Sequence, residues 1–237
     1  MAASGGERQW WVAAAILALG VVIGGYLLGD GLTRARQADR SVTVRGLAER
    51  DVIADLATWT IAYSAQGTDL GPVQAKSEAD TRAIMAFFRG LGFKPGEART
   101  AGVNVSQFYD NNRAANSITV RRQLQLRTLD VAAAQRAFAR QFDLVAQGIV
   151  LEEGSGMVYS FTKLDEIKPP MIAEATRDAR RGAEQFAADS GTGVGGIKQA
   201  TQGYFSVGAR DGSGEGSGSG SPNQKVRVVT TIDYYLS

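Results

Sequence analysis

An uncharged, mostly apolar run near the start of the chain sets the strongest limit on its architecture. From Gln9 to Gly29 the sequence reads QWWVAAAILALGVVIGGYLLG, 21 residues without Asp, Glu, Lys or Arg. About 20 helical residues, rising roughly 1.5 Å each, cross the roughly 30 Å hydrocarbon core of a bilayer, where a helix satisfies its own backbone. The run predicts one transmembrane helix over residues 10–29, between a short tail (1–9) and a juxtamembrane linker (30–40).

A cleaved signal peptide is the main alternative interpretation of this run. Signal peptides have an apolar core of roughly 7–15 residues followed by a small-x-small cleavage site. Here the apolar run is longer, and Arg36 lies two positions before Ala38, the best small residue of the following segment. The pattern favours an anchor that is not cleaved.

Glycines four residues apart occur twice in the predicted anchor. Gly20 and Gly24 form one pair, and Gly25 and Gly29 form the other. Small residues at this spacing let two membrane helices approach closely, although glycine is also common in membrane helices that lack such contacts. The four glycines are therefore candidates for packing between membrane helices.

The basic residues around the run bear on its orientation. Arg34, Arg36 and Arg40 follow the run, whereas only Arg8 and the amino terminus precede it. Counting by the positive-inside rule places the main domain in the cytoplasm. The complete absence of Cys favours an oxidising compartment only weakly, so the residues by themselves leave the orientation open.

Two missing residue types exclude several kinds of chemistry. The chain of 237 residues contains no His and no Cys, which excludes Ser-His-Asp and Cys-His nucleophilic sites, thiolate chemistry and ordinary zinc sites. Carboxylate pairs remain, such as Glu152 with Glu153 and Asp165 with Glu166, but neighbours on a strand point to opposite faces and residues beside Gly or Pro usually lie in solvated loops. We expect a non-enzymatic protein without a cofactor or metal.

The charge of the remaining chain is almost balanced. Residues 41–237 contain 22 basic and 21 acidic residues, a net charge of +1. No broad field that would attract nucleic acid is present. Within this region the segment DGSGEGSGSGSP predicts a flexible loop over residues 211–222.

Strand and helix patterns alternate from Ser41 onward. SVTVRG and DVIADLATWTIAYSAQG have the two-residue period of strands and predict a hairpin that turns near residues 48–51. VNVSQFYD and SITVRRQLQLRTL predict a second hairpin with the polar tip NNRAAN. In the first hairpin we expect one face of the second strand to be buried, with the members Ile53, Ala57, Trp59, Ile61 and Tyr63.

Helical periodicity separates these hairpins from the later strands. Helices are predicted over residues 69–90, 130–148 and 171–189, the first two capped by Asp69 and Asp130. We expect the third helix to pack through a face of mostly small residues, namely Ile172, Ala175, Ala179, Ala183 and Phe186. The prediction is an α+β domain over residues 41–237, with a mostly antiparallel sheet built from hairpins and three flanking helices.

Two motifs that suggest binding sites are better explained as turns. One is an acidic group that is typical of a charged turn as well as of a metal site; its members are Glu49, Asp51 and Asp55. The other, Gly191, Gly193 and Gly196, matches G-x-G-x-x-G. It follows a predicted helix and precedes a strand, which reverses the order of a dinucleotide-binding fingerprint. We interpret it as a helix-to-strand turn.

The second hairpin contains the remaining candidate contact residues. Its tip combines aromatic, amide and guanidinium groups, which can bind a sugar, a peptide or a partner, although tips rich in Asn are most often turns. These tip residues are Phe108, Tyr109, Asn111, Asn112 and Arg113. In the returning strand Arg122 interrupts an apolar face, which suggests either an ion pair with a second subunit or a side chain that reaches water at the sheet margin.

The order of four segments resembles the SIMPL-domain family, a domain of unknown function whose members include a bacterial periplasmic immunogenic protein. The segments are SVTVRGLAERDVIADLATWTIAYSAQG, LGFKPGEARTAGVNVSQFYD, ATRDARRGAEQFAADSGTGVGGI and VRVVTTIDYYL, and the resemblance spans about residues 41–237. It implies an extracytoplasmic α+β protein that assembles into large channel-like or cage-like homo-oligomeric rings and has no established catalytic residues. Animal relatives are associated with a signalling kinase, and some bacterial relatives with oxidative-stress tolerance.

The anchor and the resemblance together lead to one main expectation and one alternative. We expect a single-pass protein of the bacterial inner membrane whose main domain is periplasmic, against the positive-inside count, and which supports envelope organisation or stress tolerance. Its expected partners are copies of itself and, through residues 10–29, the lipid bilayer, with no nucleic acid. The alternative is a module that binds an envelope ligand or polymer through the hairpin tip at residues 108–113.

Overall fold

Alternating strands and helices fill the main part of the chain. The computed structural model describes Trp10 and residues 17–26, 40–110, 115–211 and 220–237. From residue 40 onward the elements are β1 (Ser41–Ile53), β2 (Leu56–Gly67), α1 (Leu70–Gly90), β3 (Ala98–Asp110), β4 (Ala115–Thr128), α2 (Val131–Ala139), α3 (Phe142–Ala146), β5 (Val150–Leu151), β6 (Gly156–Ser160), α4 (Leu164–Ser190), β7 (Val194–Gln202), β8 (Ser206–Ala209) and β9 (Asn223–Leu236). The predicted α+β class is confirmed.

The strands form two sheets. The five-stranded sheet has the order β3-β4-β2-β5, with β6 also on β2, and its pairings are antiparallel. The four-stranded sheet has the order β1-β9-β7, with β8 also on β9. The predicted hairpin of β3 and β4 is confirmed, as is the closing strand β9.

The predicted first hairpin is wrong, because β1 and β2 belong to different sheets. The chain does not turn at residues 48–51; β1 continues to Ile53, and Glu49 forms ion pairs with Lys225 (3.5 Å) and Arg227 (3.7 Å). The break comes at Asp55, whose carboxylate oxygens accept hydrogen bonds from the backbone N and the hydroxyl of Thr162 at 2.7 and 2.9 Å. Basic partners on another strand thus allow Glu49 to lie inside β1.

From residue 40 onward the described chain has four helices, where three were predicted. The predicted helix over 130–148 is interrupted at Arg140, whose N–H bonds the carbonyl three residues back at Ala137, and it divides into α2 and α3. Its predicted cap is confirmed, because Asp130 Oδ1 accepts a hydrogen bond from Ala133 N at 2.8 Å.

The last helix also begins earlier than predicted, at Leu164, and includes Pro169 and Pro170. These prolines remove the helical donors to the carbonyls of Asp165 and Glu166. Because both of those residues are exposed near the start of the helix, water can hydrogen-bond their carbonyls. At the other end, Gly191 has φ +70° and β7 begins at Val194, so the glycine motif is the predicted helix-to-strand turn.

The chain divides into two compact units, and the first comprises the chain up to Ala48 together with Ile172–Gly203 and Val229–Ser237. Its core contains Val42, Ala179, Ala183, Ile232 and Tyr234. The buried row of α4 in this unit repeats every four residues and consists of Ala175, Ala179, Ala183 and Ala187. The predicted face is therefore corrected at both ends: Ile172 is half-buried and Phe186 is exposed.

The alanine row brings α4 very close to β1. A Cβ built on Gly46 would overlap the carbonyl oxygen of Ala175 and would lie 2.5 Å from Ala179 N and 2.8 Å from Ala179 Cβ. One residue further on, Leu47 N donates to Asp178 Oδ2 at 3.0 Å. This backbone hydrogen bond, with a smaller contribution from Arg181, lowers the pKa of Asp178.

The second unit comprises Glu49–Met171 and Tyr204–Val228, and its core surrounds β2. Trp59 is fully buried and contacts the rings of Phe87, Phe88 and Phe138 edge-on, with centroids 6.4, 5.4 and 5.4 Å away. The predicted buried face of β2 is confirmed from Ala57 to Tyr63, whereas Ile53 is exposed because it lies on β1, before the break.

Candidate functional site

Strand β3 forms one edge of the five-stranded sheet and is the candidate contact surface. It pairs with β4 from Ala98 to Asp110, with a bulge between Thr100 and Gly102. Its other edge pairs with no strand among the residues that the structure describes. A row of backbone N–H and C=O groups therefore lies open to another chain.

Two exposed valines lie on this open strand. Val103 and Val105 are each 55% exposed and lie opposite Arg122 and Val120 of β4. Directly opposed residues share a face, and on this face Val120 packs against Val73 of α1. The two valines thus continue the apolar surface of the core beyond the part that α1 covers.

The composition of β3 leaves this edge without the usual protection. Edge strands are commonly shielded by charged residues or by Pro. Between Arg99 and Asp110 the sequence TAGVNVSQFY contains neither. The bulge at Thr100 and Gly102 is the one protective feature in this part of the strand, and the valines lie beyond it.

The hairpin tip is described only in part. Phe108 and Tyr109 are 68% and 54% exposed, and they lie opposite Ser117 and Asn116. Successive residues on a strand point to opposite faces, so these two rings do not form one clamp. Asn111, Asn112 and Arg113 lie outside the described residues, and ligand binding at the tip stays a prediction.

Arg122 lies among polar groups between β4 and α1. Its Nη2 is 4.0 Å from Glu78 Oε1 of the same chain, and its side chain is 17% exposed. It faces Tyr63, whose hydroxyl is 2.6 Å from Thr81 Oγ1 and whose pKa is raised chiefly by burial. The predicted ion pair with a second subunit stays a prediction, and Glu78 is the neighbour that the chain itself supplies.

Nine of the 20 residues of the predicted anchor lie outside the described residues. Trp10 and residues 17–26 are helical, with Gly20, Gly24 and Gly25 among them, whereas Gly29 is outside. No atom from elsewhere in the described chain would come within 4 Å of a Cβ at these three glycines. Within the described ranges, none of the helices has both the length and the apolar character needed to cross a membrane.

One carboxylate of each candidate catalytic pair has a basic partner within the chain. Glu152 Oε2 pairs with Arg121 Nε at 3.1 Å, and Asp165 Oδ1 pairs with Lys168 Nζ at 2.7 Å. Across residues 40–110, 115–211 and 220–237, no three Asp or Glu side chains come together in a way that could hold a metal ion. These charges act as surface and inter-strand contacts.

Val103 and Val105 are candidate contact residues that the sequence patterns did not single out. Their alternation with Asn104 and Ser106 is that of an ordinary strand with one buried face. Only the strand order shows that β3 lies at the edge, so the same valines are exposed. The ten-residue stretch without a charge was the available signal in the sequence.

Comparison with known proteins identifies the family of the chain and nothing more specific. No curated protein matches the chain. The family model that matches is SIMPL, described as a protein of unknown function (DUF541), and it matches residues 42–234. The matched region begins in β1 and ends in β9, so it includes both sheets. The chain therefore belongs to the SIMPL family.

Proposed function

We propose that the protein is a non-enzymatic, membrane-anchored component of the bacterial envelope that assembles with copies of itself through β3. The open edge of β3 is the observation that carries the proposal. An unprotected strand with exposed valines can add a strand from a second copy, and the new backbone hydrogen bonds are accompanied by burial of Val103 and Val105.

The symmetry of such a contact limits the size of the assembly that β3 can form without a second contact. If β3 of one copy pairs antiparallel with β3 of another, the contact is isologous and closes as a dimer. A larger ring needs a second contact on each copy. The anchor proposed over residues 10–29 supplies a candidate through Gly20, Gly24, Gly25 and Gly29, because copies held in one assembly raise the local concentration of their anchors.

We expect Val105→Lys to weaken self-association at least a hundredfold. The substitution places an ammonium group in the proposed contact, where burying an unpaired charge costs several kcal/mol, and about 1.4 kcal/mol corresponds to tenfold in affinity. Mass photometry of the full chain in mild detergent should show one high-order species for the wild type and small species for the variant. Val105 is exposed, so folding should be unaffected.

The matched control is Val150→Lys. Val150 is 61% exposed on β5, at the other end of the same sheet, and the substitution adds the same charge. This variant should assemble as the wild type does. A wild type that remains monomeric at micromolar concentrations, or a Val105→Lys variant that assembles normally, would contradict the proposal.

The proposed periplasmic location has its own test, which uses the absence of Cys. The variant Ser217→Cys places a unique thiol in the Gly/Ser-rich segment at residues 211–222. A maleimide that does not cross membranes should label this thiol in cells whose outer membrane alone is permeabilised. If labelling instead requires lysis of the inner membrane, the main domain is cytoplasmic, as the positive-inside count indicates.

A further inference from the structure

Two adjoining cavities lie on the second unit, where α1 leads into β3 and β4 leads into α2. The larger has a volume of about 840 Å³ and is lined by residues of segments 91–97 and 127–136, together with Leu56 and Thr162. The smaller, of about 450 Å³, shares Lys94, Glu97 and Arg127 with it. Pockets that bind small molecules have volumes of roughly 300–1,000 Å³.

The cavities carry an excess of positive charge. Four basic side chains line them against two carboxylates, Glu97 and Asp130, which leaves a net charge of +2. The basic residues are Lys94, Arg99, Arg127 and Arg136. This local excess contrasts with the near neutrality of residues 41–237 as a whole.

Both carboxylates accept hydrogen bonds from backbone or hydroxyl donors rather than from the basic groups. Glu97 accepts hydrogen bonds from Lys94 N at 2.6 Å and from Thr128 Oγ1 at 2.7 Å, one on each carboxylate oxygen. Asp130 caps α2 through Ala133 N. Lys94, Arg127 and Arg136 form no ion pair with any residue in the described part of the chain. Their charges are thus available to an anion from solution.

Apolar groups complete the larger cavity. Leu56 and Phe93 belong to the buried core and contribute to its wall, whereas Leu129 lines it with a side chain that is 74% exposed. A purely inorganic anion would leave this leucine uncovered. A ligand that has both an anionic group and an apolar portion would contact both kinds of lining.

We propose that these cavities bind an organic phosphate, whose phosphate lies between Lys94 and Arg127 and whose apolar portion covers Leu129. Guanidinium groups recognise phosphate oxygens with paired hydrogen bonds, and a lysine adds a mobile point charge. Lys94 and Arg127 are the basic residues common to both cavities, so a group bound there can extend into either one. The ligand can be a soluble phosphate compound or the headgroup of an anionic phospholipid.

The test is isothermal titration calorimetry of the full chain in mild detergent, at constant ionic strength, with two probes. One is phenyl phosphate, a soluble phosphate with an apolar ring, and the other is dihexanoylphosphatidylglycerol, a short-chain anionic phospholipid. The double variant Lys94→Gln, Arg127→Gln should weaken binding of the preferred probe at least tenfold. Tighter binding of dihexanoylphosphatidylglycerol identifies a lipid as the source, and tighter binding of phenyl phosphate identifies a soluble phosphate compound.

The matched control removes two exposed basic residues that do not line either cavity. The variant Arg45→Gln, Arg82→Gln lowers the net charge by the same amount and should leave both affinities within twofold of the wild type. Failure of the wild type to bind either probe, or an equal loss in both double variants, would overturn the proposal. This experiment is distinguishable from the test of self-association, because it measures ligand binding directly and neither Lys94 nor Arg127 lies on β3.

Discussion

The variant Gly46→Ala is expected to lower the free energy of unfolding by at least about 3 kcal/mol, at or above the upper end of the usual cost of overpacking. The added methyl would overlap the carbonyl of Ala175 and crowd the backbone of Ala179, so α4 would have to move away from β1. That movement would also lengthen the hydrogen bond from Leu47 N to Asp178. At roughly 2–4 °C per kcal/mol, the melting temperature should fall by about 6–12 °C.

Gly182→Ala is the matched control because it makes the same chemical change on α4. Gly182 is exposed, and nothing lies within 4 Å of its added Cβ. Alanine favours the helix over glycine by about 0.5–1 kcal/mol, so this variant should be slightly more stable than the wild type. Thermal melts followed by far-UV circular dichroism compare the two. A melting temperature for Gly46→Ala within about 2 °C of the wild type would contradict the close packing described for α4 and β1.

The variant Trp59→Ala is expected to lose about 3–5 kcal/mol, the range for removing a large aromatic side chain from a core. The indole is fully buried and contacts three phenylalanine rings, and such contacts add to the stabilisation that comes from burial alone. Urea unfolding followed by circular dichroism should show a midpoint shifted to much lower urea.

Trp59→Phe separates loss of packing from loss of the indole N–H. Trp59 Nε1 is buried and has no hydrogen-bond partner in the described chain. Leaving such a donor unpaired costs roughly 1–3 kcal/mol, so phenylalanine removes an unfavourable term while it retains most of the ring contacts. We expect a loss of no more than about 1 kcal/mol. A loss as large as that of Trp59→Ala would show that the volume of the indole, rather than its unpaired N–H, determines the effect on stability.

Local patterns in the sequence predicted much of this fold because their causes are local. The alternation in β4, interrupted at Arg122, follows from a sheet that buries Val120, Leu124 and Leu126 on one face. The cap at Asp130 follows from a carboxylate that reaches the amide of Ala133. The turn at Gly191 follows from a positive φ that glycine adopts without strain.

Strand partners were the part that local patterns could not predict. β1 and β2 are adjacent in sequence and both alternate, which suggested a hairpin, yet β1 pairs with β9. Acidic residues inside β1 suggested a turn because the basic partners of Glu49, Lys225 and Arg227, are far away in the sequence. The early start of α4 was missed because Pro169 and Pro170 usually mark a helix boundary.

The β3 edge and the cavities could not be predicted from the sequence for the same reason. Whether Val103 and Val105 are buried depends on the place of β3 in the sheet, which the alternation of the strand does not contain. The cationic cavities bring Lys94 together with Arg127 and Arg136, from segments with no common motif. In the sequence, each of these three basic residues has the pattern of an ordinary charge exposed to solvent.

The pairing of β1 with β9 has a consequence for how the protein is made. The strand Ser41–Ile53 is synthesised early. Its partner, Asn223–Leu236, follows only after nearly all of the domain has been synthesised. Until then Val42 and the alternating residues after it have no sheet to join, and pairings between such distant segments form slowly. We therefore expect this sheet to complete only after β9 has been synthesised, and a polypeptide that ends before Asn223 to leave the β9-facing edge of β1 unpaired.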